Sequence, residues 1–112
     1  MKRRSLFLLP VLAVAAITVS QVAYAGGSVN VSGKEFKFTL SKKSISHGNI
    51  TFNFKNAGTL GHDFKIDGKT TAVINAGKTA TLKVNLKKGT YTYMCTVPGH
   101  AQSGMKGTFK VT

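Results

Sequence analysis

The sequence holds a single cysteine, Cys95, so no disulfide can close within the chain. Four roles remain for that thiol: a bridge to another chain, a nucleophile, a buried inert group or a metal ligand. Tryptophan is absent, and phenylalanine, with 7 residues, is the main aromatic available to fill an interior. Acidic residues are scarce, with Glu35, Asp63 and Asp67 facing 16 lysines and arginines, a formal net charge of +13. A surface this basic suits nucleic acid, anionic lipid, a cell-wall polymer or an acidic protein. The lysines are scattered, without the aromatic-and-arginine pattern that stacks bases, which argues against nucleic acid. The length, 112 residues, suits one compact domain and leaves no room for a substrate domain beside a cofactor domain.

No apolar run reaches the ~20 residues of a membrane-spanning helix. The longest, Leu6 to Val19, contains Pro10, follows Lys2, Arg3 and Arg4, and precedes Ala23-Tyr24-Ala25. A basic start, a short apolar middle and an A-x-A exit make a signal peptide. Residues 1–25 are therefore assigned to that signal, and 26–112 to an exported domain, periplasmic or otherwise extracytoplasmic. After cleavage no stable membrane insertion is expected; a retained signal would tether the domain. Losing three basic residues leaves the domain at a formal charge of +10.

After Ala25 no stretch shows a helical stripe. Apolar and polar residues instead alternate in short runs ended by Gly, Asn and Lys turns, the period of half-buried strands. Phe36, Phe38 and Leu40 share one face, as do Ile50, Phe52 and Phe54, then Phe64 and Ile66, then Ala80, Leu82, Val84 and Leu86. Tyr91, Tyr93 and Cys95 fall in step, and so do Phe109 and Val111. The pattern predicts an all-β, two-sheet sandwich of about seven or eight strands.

Between the last two strands, Cys95, His100 and Met105 follow the spacing C-x4-H-x4-M. A reversing loop, helped by Pro98 and Gly99, can turn all three side chains toward one point, whereas an extended strand would hold them apart. His62, in Leu60-Gly61-His62-Asp63-Phe64, opens an earlier strand and can supply a fourth ligand. Singly, each residue has a plainer reading: a solvated histidine, or a methionine filling a core. Together, two imidazoles and a thiolate with a weak thioether form a blue-copper set. Zinc fits less well, because a thioether is a poor partner in its closed tetrahedral sites. A cysteine nucleophile paired with His100 or His62 would leave Met105 idle and find no substrate pocket, so no enzyme activity is expected. His47, in a turn without cysteine or methionine nearby, is assigned to the surface.

At these residues the sequence resembles the cupredoxin family of small copper proteins, which includes plastocyanin, azurin and rusticyanin. The resemblance runs from about Ser28 to Thr112, and the loop spacing is nearest to rusticyanin's. It implies a Greek-key sandwich and one type 1 copper held by His62, Cys95, His100 and the axial Met105. It also implies single-electron shuttling between redox partners through the edge of His100, within an apolar patch of Val97, Pro98, Ala101 and Leu60. Asp63 stands where the family often has asparagine or serine tying the two ligand segments together, and its charge near the metal would favour the oxidised ion. Lysines such as Lys65, Lys69 and Lys106 predict partners with acidic docking faces, met by a monomer. The alternative is an exported copper carrier or buffer without redox cycling.

Overall fold

The computed structural model describes residues 26–112, and the signal-peptide assignment for 1–25 lies outside them. Nine strands follow in order: β1 (Gly27–Lys34), β2 (Lys37–Leu40), β3 (Ser44–Ile45), β4 (Gly48–Asn56), β5 (Lys65–Ile66), β6 (Lys69–Thr70), β7 (Thr79–Leu86), β8 (Gly89–Met94) and β9 (Lys106–Val111). They form two sheets, β2-β1-β4-β7 and β3-β9-β8-β5-β6. The β1–β4 and β3–β9 pairs are parallel, the others antiparallel. The number exceeds the sequence expectation because β3 and β6 have two residues each, too short to show an alternation, whereas β5, equally short, falls in the expected Phe64–Ile66 run.

The alternating residues fill the space between the sheets. Val29 and Val31 of β1, Ile50, Phe52 and Phe54 of β4, Val84 and Leu86 of β7, and Phe109 and Val111 of β9 are all buried. Phe64 completes the layer, with ring centroids 5.5 Å from Phe38, 5.2 Å from Phe52 and 5.7 Å from Tyr93. Edge-to-face and tilted pairs at such distances add to the burial of the rings, so phenylalanine does here what tryptophan does elsewhere. The Asp67-Gly68 turn has φ of 49° and 73°, the two positive values of a type I′ hairpin, and joins β5 to β6.

Phe36 departs from expectation. Lys34 pairs with Lys37, so Glu35 and Phe36 form the two-residue loop between β1 and β2, and Phe36 leaves the core face of Phe38. It is 38% exposed.

Phe52 lies on a central strand, fully buried, 5.6 Å from the ring of Phe109 on the opposite sheet. Phe52→Ala is expected to lower unfolding free energy by about 3–5 kcal/mol in a denaturant titration. A loss below ~1 kcal/mol would contradict the packing of the two sheets.

Candidate metal centre

Cys95 leaves the end of β8 pointing inward, and the chain then winds through turns until Met105 returns to β9. The Cys95 amide donates to the Met105 carbonyl at 3.0 Å and the Met105 amide to the His100 carbonyl at 3.1 Å. Those bonds close the loop on itself. Gly104, at φ 123°, is needed there: a Cβ would stand 2.9 Å from the Phe36 carbonyl oxygen of the β1–β2 loop.

His62 comes from elsewhere. It does not open a regular strand, because His62, Asp63 and Phe64 are all buried, and a pleated strand cannot send three successive side chains inward. The segment is held by a single bridge instead: the His62 amide donates to the Ile74 carbonyl at 3.2 Å, and the Ile74 amide to the His62 carbonyl at 2.9 Å. Buried Asn56 braces the surrounding loops, donating through Nδ2 to the Leu60 and Ile74 carbonyls, both at 2.8 Å, while its Oδ1 accepts from the Gly58 amide.

These elements bring His62, Cys95 and His100 together, with ligand atoms all within 4.8 Å of one another. His62 Nδ1 is 3.0 Å from His100 Nδ1, and Cys95 Sγ is 3.9 Å and 3.5 Å from those two nitrogens. Such spacings suit donors around one ion bound at about 2.0–2.3 Å. Two imidazoles and a thiol, buried together, fit copper. Met105 is fully buried and its backbone is bonded to both Cys95 and His100. His47 lies away from this cluster, its Nδ1 at 2.9 Å from the Thr112 carbonyl.

Burial pushes the Cys95 thiol above its ordinary pKa. Metal binding must therefore displace its proton. Asp63 accepts from the Thr96 amide at 2.6 Å and from the Thr96 hydroxyl, joining the His62 segment to the residue that follows Cys95.

Sequence reasoning missed Glu35 and Phe36. Glu35 Oε1 accepts from the Leu60 amide at 2.7 Å, the Thr59 amide at 2.8 Å and His62 Nε2 at 3.0 Å. The Leu60 bond is the largest cause that lowers the Glu35 pKa to about 2. An ionised carboxylate can only accept, so His62 donates from Nε2 and turns the lone pair of Nδ1 toward Cys95 and His100. Phe36 meets the ring of His100 edge-on at 5.1 Å. Nothing in the sequence around Glu35 marks it out, since its partners lie 24 residues and more away.

Asp63→Ala should speed hydrogen exchange at the Thr96 amide and lower the stability of the metal-free protein by about 1–3 kcal/mol. Unchanged exchange at Thr96 would show that the link between the two segments does not persist in solution.

A family model described as copper binding proteins, plastocyanin/azurin family, matches residues 13–112. Auracyanin-B of Chloroflexus aurantiacus is 49% identical over 43 residues, covering 38% of this chain and 18% of that protein, so the matched segment spans under a fifth of that relative. Among solved structures, auracyanin B is similar with a TM-score of 0.65 and 23% identity, covering 77% of this chain and 88% of that one. Auracyanin of Roseiflexus castenholzii gives 0.65 and 20%, covering 78% and 97%. Rusticyanin of Thiobacillus ferrooxidans gives 0.56 and 24%, covering 76% and 77%. At these identities the structures establish the sandwich fold, and the family model, which matches most of the chain, establishes descent: the chain belongs to the copper-binding proteins of the plastocyanin/azurin family.

Proposed function

We propose that the protein is an exported type 1 blue-copper electron carrier whose copper ligands are His62, Cys95, His100 and Met105. The observation that carries this reading is the buried cluster of two imidazoles and one thiol beneath an apolar surface. Copper supplies reversible one-electron exchange between its two common oxidation states when bound. The chain's part is to hold the donors still and dry. Three of the four residues are no more than 1% exposed, and His100 is 8% exposed, so His100 offers the way in and out for an electron.

The exposed large hydrophobic residues among those described are Phe36, on the His100 ring, and Leu60 and Val73, beside the His62 segment. Phe36 packs on His100, Leu60 donates its amide to Glu35, and Val73 lies over Gly61, where an added Cβ would be 3.0 Å from its Cγ1. Of the expected patch, Leu60 and Pro98 are exposed, while Val97 and Ala101 are half-buried. Small apolar patches of this kind suit brief contact with a partner. Lys65 and Lys106 both pair with Met94, one residue before Cys95, and lie on the outer face of the sheet. That supports redox partners with acidic docking faces. The domain acts outside the cytoplasm on this reading, from the leader pattern of residues 1–25. A carrier that hands copper on without redox cycling would be poorly served by donors so deeply enclosed.

Cu(II) added to the purified protein should give an intense blue thiolate-to-copper absorption band, lost in Cys95→Ala. No band in the wild type would defeat the reading. Oxidation of the reduced, copper-loaded protein by anionic hexacyanoferrate(III) should slow as salt rises, since screening weakens attraction between opposite charges. A rate indifferent to ionic strength would remove the basic surface from the account of partner choice.

A further inference from the structure

Glu35 lies in the two-residue loop between β1 and β2, pinned on both sides by the pairing of Lys34 with Lys37. Its Oε1 is surrounded by three donors, the amides of Thr59 and Leu60 and the outer nitrogen of the His62 ring. The approach depends on a glycine, because a Cβ at Gly58 would stand 2.5 Å from the same oxygen. Among the described residues no lysine pairs with Glu35, despite the basic surface, and the side chain it meets is the His62 ring. The carboxylate is therefore a fixed negative charge directed at one ligand ring.

We propose that Glu35 is a positioning residue for the copper centre, fixing His62 with Nδ1 toward the other donors and lowering the reduction potential through its charge. The proposal rests on the copper reading above. A carboxylate behind a ligating imidazole settles its tautomer and ring orientation and makes the ring a stronger donor. Stronger donation and a nearby negative charge both favour the more highly charged Cu(II) over Cu(I). The effect is one-sided. Among the described residues no carboxylate stands behind His100, which instead carries Phe36 on its ring, so one histidine anchors while the other faces the partner.

Two variants test this. Glu35→Gln keeps an oxygen that the Thr59 and Leu60 amides can use, and removes the charge. Glu35→Ala removes the acceptor as well. With copper bound, E35Q should stay blue while its Cu(II)-to-Cu(I) affinity ratio falls about tenfold, a rise in potential of ~59 mV for one electron. E35A should lose a further part of its Cu(II) affinity, about 10–100-fold in all. Thermal unfolding of both metal-free variants reads the structural contribution separately. A fall in metal-free stability with an unchanged potential would reduce Glu35 to a loop brace and overturn the proposal. A blue wild type whose potential equals that of E35Q defeats this proposal alone, whereas a wild type that takes up no copper defeats the copper reading with it.

Discussion

Phe64 fixes where the metal centre can be. Its ring stands between the two sheets, against Phe38, Phe52, Phe54 and Tyr93, and cannot shift without opening the core. The two residues before it inherit that position. His62 is held two residues away by the bridge to Ile74, and Asp63 is held one residue away by its grip on Thr96. Aromatic packing, which has no interest in metals, thus sets the location of one imidazole, and a carboxylate carries that location across to the thiol. Interiors packed to crystal density deform little, so the donors keep their places.

The charge distribution follows a division of labour. Glu35 and Asp63 both turn to the centre, one behind His62 and the other behind Thr96, while Asp67 alone of the three carboxylates is spent on an exposed turn. The lysines are left to define the surface. A chain with so few negative charges places two of them where charge matters to the metal, and the outside therefore presents nearly uniform positive potential to whatever approaches.

Much of this was legible in the residues. Period-two runs such as Ile50-Phe52-Phe54 identified core strands because one sheet face is buried and the other wet, and Asp67-Gly68 announced its hairpin. The meeting of Cys95 with His100 was readable because a single loop carries both, and Met105 lies buried at the end of the same loop. Less was visible where tertiary contacts decide. Phe36 fits the alternation of β2 and yet turns outward, since the β1–β2 loop must reach His100. Glu35 and Asn56 look like an ordinary surface acid and a turn residue, and gain their roles only from segments that the fold brings alongside. His62 was expected at the head of a strand, but burying three successive side chains broke the pleat.

The hydrogen bond from the Cys95 amide to the Met105 carbonyl makes the ligand loop a closed insert between β8 and β9. Those strands pair without interruption from Gly89 with Val111 to Met94 with Lys106, immediately before the insert begins. Within that insert Thr96, His100 and Gly104 are tied to the rest of the centre, which leaves Val97–Gly99 and Ala101–Ser103 as the stretches whose polarity can change in the course of descent without loosening those ties.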